Sequence, residues 1–374
     1  MGGAVPRVHV QAVRGWGDRA RLGFFVGKLA VKEHLAPRLH VRPLAAELFL
    51  TDNCNLRCVS CACWRTVTRD ELSTQEWFDV VDQLAGLGVL KANFTGGEPL
   101  LRRDAPAIIA HAWAAGIRNL HLNTNATLLD ERRRSAVLDA GIRSLNVSVD
   151  GPDGEVHDLV RGVAGSFART TANLRDLVAQ RDELRLRLRL SFTVLRSNVG
   201  ALPRMMRLAQ ELGIPLYLNL ATDHTFLFRD PQVTAEASLD AAAVDGVLAE
   251  VEELLRADRK GLPRPAELEY LRRHFRDVVQ RSVPCAESQL KLMVHSRGEV
   301  GGCWGHDTHA NVRDTRLADI VDSDRYRDDH ARFYRKDCAG CGSNYSFNLA
   351  LRPRSYVDDL LWRAGRRSLD RTLA

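Results

Sequence analysis

The sequence predicts an α/β fold: six strand–helix units building a parallel sheet, wound open or closed partway into a barrel, ahead of a small cysteine-bearing α+β module. Three observations carry this. From about residue 45, short β-rich runs alternate with amphipathic helical patterns across short loops, as parallel strands require because each needs a crossover. After residue 222 the pattern shifts to long helices. Eight cysteines fall in two groups, four between 54 and 63 and four between 285 and 341, a clustering that core burial alone does not produce.

Taken in order, residues 18–36 read as an amphipathic helix in which Leu22, Phe25, Leu29 and Val31 are interrupted by basic residues, closing before Pro37. Strands are expected at 46–51, 89–95, 119–124, 144–150, 185–195 and 216–221. Helical patterns at 74–87, 106–115, 130–140, 166–181 and 202–212 fall between them. The run Arg185-Leu-Arg-Leu-Arg-Leu190 alternates strictly, and its arginine face is expected to be solvated. Helices at 239–257 and 266–279 flank Gly261-Leu-Pro-Arg-Pro265, and a hairpin of 289–294 with 299–303 turns at Ser296-Arg-Gly298.

The 374 residues can bury a full core and suggest one large unit with a smaller one attached. Hydrophobic residues at 45% and charged residues at 27% are globular proportions, and no apolar run is long enough to span a bilayer. The start, Met1-Gly-Gly-Ala-Val-Pro6, has no apolar export segment and no serine or threonine for myristoylation, so cytoplasmic residence is expected. A net charge of +6 comes from dispersed arginines rather than one basic face, and nucleic-acid binding is not expected.

Eight thiols in a cytosolic chain point to thiolate or metal chemistry rather than disulfides. The first strand runs into Asp52-Asn-Cys54-Asn-Leu-Arg-Cys58-Val-Ser-Cys61, a Cys-x3-Cys-x2-Cys triplet on one loop. Three thiolates can ligate three irons of a [4Fe-4S] cube and leave the fourth open to a chelating cofactor. With Cys63 the same loop could instead form a four-thiolate zinc knot.

This spacing, after a first strand, resembles the radical S-adenosylmethionine (SAM) superfamily, with Ser60 where an aromatic residue is usual. The resemblance implies a partial (β/α)6 TIM-like barrel. It also implies that SAM chelates the open iron and is cleaved to methionine and a 5′-deoxyadenosyl radical, which takes a hydrogen from substrate. Asn93-Phe-Thr95-Gly96-Gly97-Glu98-Pro99 matches the family's GGEP element, whose grip on the methionyl amino group would fall on Thr95, Gly96, Gly97 and Glu98. Asn123-Thr-Asn125 resembles its Thr-Asn-Gly turn, with Ala126 in place of glycine, and puts Asn125 at the cofactor. By the same likeness Ser148 would contact the ribose and Arg161 the cofactor carboxylate, with Asp150 serving cofactor or substrate.

The second group, Cys285, Cys303, Cys338 and Cys341, has gaps of 17, 34 and 2 residues. A zinc ribbon would suit four ligands. On a radical SAM enzyme, however, the order resembles the twitch module, a shortened SPASM extension holding a second, auxiliary [4Fe-4S] cluster suited to electron transfer. The resulting organisation is a helical extension at 1–43, the barrel at 44–222, a helical connector at 223–283, the twitch module at 284–346 and a basic helical tail at 347–374. Cys63 is left over and is a candidate hydrogen donor for a radical epimerase, while Asp223 or His224 could act as base. With only 43 residues ahead of the barrel for a leader-binding domain, the expected substrate is a small polar metabolite of the sugar or aminocyclitol kind, which the enzyme would dehydrogenate. A flavodoxin- or ferredoxin-type donor would supply the electron. Epimerisation, peptide maturation and a non-catalytic zinc scaffold are the alternatives.

Overall fold

The computed structural model describes residues 41–65, 67–221, 241–257, 260–276, 287–303 and 310–334, with a few isolated positions outside these ranges. Most of the helix expected at 18–36, the residues 222–234 and 304–309, and everything after 334 lie outside the described residues.

Six parallel strands follow chain order: β1 (Ala45–Thr51), β2 (Lys91–Gly96), β3 (Asn119–Thr124), β4 (Ser144–Ser148), β5 (Arg187–Val194) and β6 (Leu216–Leu220). β1 and β6 do not meet. The free side of β1 instead takes β7 (Lys291–Val294) in parallel, followed by the antiparallel β8 (Glu299–Gly301) and β9 (Ala310–Asn311), giving one sheet of nine strands among the described residues. The fold is a partial TIM-like barrel. The predicted hairpin exists, but it extends the barrel's own sheet.

The crossovers are α1 (Thr74–Gly86), α2 (Ala105–Ala114), α3 (Glu131–Asp139), α4 (Gly154–Arg161) with α5 (Ser166–Ala179), and α6 (Leu202–Leu212). The helices α7 (Ala241–Ala257) and α8 (Pro265–Arg276) follow, and after the short α9 (Glu287–Leu290) and the hairpin come α10 (Leu317–Asp322) and α11 (Asp324–Tyr334). Local sequence explains the starts: Ser73 and Glu76 form a reciprocal capping box on α1, and Asp153 accepts the Val156 N–H to open α4. α4, eight residues closed by the left-handed Gly162, is not among the helices the periodicity predicts.

Period-two alternation sorts each strand into two faces. Leu48, Phe94, Leu122, Val147, Leu190 and Leu218 point to the helices and pack with Trp77, Ile108, Leu174 and Met205 into one core. The alternate residues line the inside. This corrects the expectation for Arg187 and Arg189: β5 is flanked by β4 and β6, and because the helices claim its leucines, the arginines face the barrel interior instead of solvent.

Candidate active site

Cys54, Cys58 and Cys61 stand just beyond the C-terminal end of β1, at the rim where parallel barrels carry their chemistry. The loop is braced from several sides. The Asn53 side chain donates to the Thr68 carbonyl at 3.0 Å and accepts the Thr68 N–H at 3.1 Å, while Glu71 accepts from the Thr51 hydroxyl at 2.7 Å and the Asp52 N–H at 3.0 Å. From β2, the Gly97 and Glu98 amides donate to the Thr51 and Asn53 carbonyls at 2.7 and 2.9 Å. The Arg57 and Val59 amides, on either side of Cys58, donate to the Arg161 and Val160 carbonyls at the end of α4. Ser296, in the hairpin turn, donates to Asp52 at 2.7 Å and ties the C-terminal hairpin to the same loop.

The GGEP glycines have a packing reason of their own. Gly96 has φ +130, and a Cβ on Gly97 would sit 2.2 Å from the Asn53 carbonyl oxygen. Glu98 is fully buried and accepts from the Thr124 hydroxyl, the Leu100 amide and the Asn125 amide at 2.8, 3.1 and 2.8 Å. Its carboxylate therefore braces the turns after β2 and β3. Asn125 donates to Asn55, inside the cysteine loop, at 2.9 Å, and its side-chain oxygen holds Thr127. Ala126 adopts the left-handed conformation, φ 57, that the family's glycine would take without strain.

Asp150 and Arg161 form an ion pair of 2.7 Å, and a second guanidinium nitrogen lies 3.7 Å from the Cys58 sulfur. Burial pushes the Asp150 carboxyl up against the pull of Arg161. Burial also works against the Arg161 charge, but Asp150 and Cys58 outweigh it and hold the guanidinium protonated. Ser148 is half-buried at the end of β4, opposite Ser191.

Burial pushes the Cys54 thiol up to about 12, with Cys58, Glu98 and Cys61 adding to it. Burial likewise takes Cys58 to about 11, although Arg161 opposes it. Cys61 is raised chiefly by its hydrogen bond with the Cys63 side chain and then by burial, against the pull of the Cys63 amide, which donates to the Cys61 sulfur at 3.4 Å. Buried thiols that repel one another as thiolates lose their protons to a bound cation, which suits an iron–sulfur cluster. Among the described residues no three His, Cys, Asp or Glu side chains form a ready-made single-ion site.

Cys285 is buried and Cys303 half-buried just past β8, while Cys338, Cys341, Asp223 and His224 lie outside the described residues. Asn198, beyond β5, is buried and committed to the Asp150 and Thr193 carbonyls and the Leu195 amide. The sequence reading missed Asn53, Glu71 and Ser296, whose roles arise from contacts 15 to 244 residues away along the chain.

A partial parallel barrel with a thiol triplet on the loop after its first strand defines a scaffold for cluster-dependent chemistry. Residues 48–183 match the Radical SAM superfamily. It is 37% identical over 172 residues to the PqqA peptide cyclase of Rhodopseudomonas palustris, covering 46% of this chain and 44% of that one. It is 36% identical over 184 residues to the AdoMet-dependent heme synthase of Methanosarcina barkeri, covering 49% and 50%. The chain thus spans about half the length of these curated relatives. Streptococcus suis SuiB bound to its precursor peptide SuiA shares the fold at a TM-score of 0.62 and 14% identity, over 91% of this chain and 79% of that one. The site's cofactors are accordingly SAM and a [4Fe-4S] cluster. No helix among the described residues is long and apolar enough to cross a membrane.

Proposed function

We propose that the protein cleaves SAM reductively and removes a hydrogen atom from a peptide substrate, as a first step toward oxidation or bond formation. The braced three-thiol loop, in a chain that matches this superfamily, is the observation that carries the reading. Reduced by a flavodoxin- or ferredoxin-type donor, the cluster would supply the electron that cleaves the sulfonium. Cys54, Cys58 and Cys61 hold it, Arg161 screens the Cys58 thiolate while paired with Asp150, Thr95, Gly96 and Gly97 receive the amino group, and Ser148 meets the ribose. Cys285 and Cys303, with Cys338 and Cys341, would hold an auxiliary cluster that takes the electron from the substrate radical. The substrate then loses a hydrogen atom, an electron and a proton, the last to a base such as Asp223 or His224.

A peptide is favoured over the sugar or aminocyclitol expected from the sequence, because the relatives reported above include a peptide cyclase and none named for a sugar. A second reading, oxidation of a non-peptide small molecule, draws on the heme synthase likeness. Anaerobically reconstituted protein should contain about eight irons per chain, as two four-iron cubes. With reductant and SAM it should form 5′-deoxyadenosine, and the yield should rise with the cognate peptide. Formation driven only by small metabolites would favour the second reading, and none under any condition would refute both. If Cys63 returns a hydrogen, Cys63→Ala should abolish deuterium uptake from solvent into product.

A further inference from the structure

The inner wall of the barrel carries charge that the rim chemistry does not use. Lys91 of β2 lies beside Asn119 of β3 on one side and across Ala45 from Lys291 of β7 on the other. Arg187 of β5 is level with Ser144 and His121, and Arg189 with Asn146. The four cations sense one another: the Lys91 ammonium is pushed down to about 8 by burial and then by Arg189, Lys291 and Arg187. His121 is driven well below its ordinary value by burial and by Lys91 and Arg189, so it stays neutral there.

Counter-charges are few. Glu47 takes Lys291 at 2.6 Å and Asn93 at 3.1 Å. Arg187 reaches the Asn119 side-chain oxygen at 3.1 Å, and Glu267 and Tyr217 lie close enough to Arg189 to ease its charge. Neither the Lys91 ammonium nor the Arg189 guanidinium has a hydrogen bond or ion pair with a described residue. The Asn119 side-chain nitrogen, in a residue only 3% exposed, donates to nothing among them. Screened cations and a sealed donor left without acceptors are costly unless an anion completes them.

We propose that Lys91, Arg187, Arg189 and Asn119 form a carboxylate-binding subsite, and that the substrate presents an acidic side chain to it while its reacting carbon lies at the rim. This rests on the peptide reading above. Arg189 is two residues below Ser191, the partner of Ser148, which is about 7 Å along a strand and within reach of an aspartate or glutamate side chain. A guanidinium fork suits the two oxygens of a carboxylate, and an unmodified peptide carries that anion.

The test uses reconstituted, SAM-bound holoenzyme and isothermal titration with glutarate, its neutral diamide and inorganic phosphate. Glutarate should bind once per chain, the diamide should not, and both Lys91→Met and Arg189→Gln should weaken glutarate at least about tenfold, the loss of one charge-assisted contact. As a check on folding that also tests the idea, Lys91→Met without ligand should melt higher than the unsubstituted protein, because it removes an unpaired charge. Glutarate binding that is absent, or unmoved by both substitutions, overturns the subsite, and phosphate binding as tightly as glutarate overturns the carboxylate assignment. Substrate-independent formation of 5′-deoxyadenosine by the unsubstituted enzyme tests the radical reading separately.

Discussion

The rim and the inner wall of the barrel handle charge in opposite ways. At the rim, Glu98 accepts from three donors, Arg161 is answered by Asp150 and Cys58, and Asn53 and Glu71 close on their own loop. Along the wall, Lys91 and Arg189 have no bonded partner among the described residues. Satisfied polar groups make a rigid holder, and unsatisfied ones mark where something else belongs. The rim is thus built to fix a cofactor, and the wall to receive an anion.

The largest effect should come from the rim thiols: Cys58→Ala should abolish cluster assembly and SAM cleavage, read as loss of the iron–sulfur absorbance and of 5′-deoxyadenosine. Next, Asp150→Asn leaves the Arg161 charge buried without its partner and should cost about 3–5 kcal/mol in denaturant unfolding. Asn53→Ala strands the Thr68 amide and loosens the loop, costing about 1–3 kcal/mol, with reconstitution slowed more than the fold is harmed.

The wall should respond with the opposite sign. Lys91, held at about 8 against its ordinary 10.5, penalises the folded state in full below pH 8. Between those values the unfolded chain binds more protons, so stability should climb with pH, and Lys91→Met should flatten that climb. The smallest effect belongs to Arg313, which grips Glu76 and Asp70 at the surface: Arg313→Ala should cost no more than about 1 kcal/mol. Arg313, first, and the Ser73 amide hold Glu76 down to about 2, so that small contribution is present at neutral pH and fades as pH falls below the ordinary carboxylate range toward 2.

The strands and most helices were legible because alternation and cap residues are local: β3 at 119–124 and α6 at 202–212 fall where the pattern puts them. The cysteine triplet and GGEP were legible because their spacing is itself the signal. The bracing role of Glu98 was not legible, because nothing nearby in sequence shows that Thr124 and Asn125 fold onto it. The arginines of β5 were misread because alternation separates two faces without saying which one meets water.

By itself, then, the sequence determined the order of strands and helices, the place of the three thiols at the end of β1 and the glycines beside them, all properties of neighbours along the chain. The tertiary structure decided which face of β5 turns inward, that the C-terminal hairpin joins β1, and that Arg161 meets Asp150 and Cys58. These depend on closure of the sheet, which brings together charges far apart in sequence, and their energies exist only at the distances that closure creates.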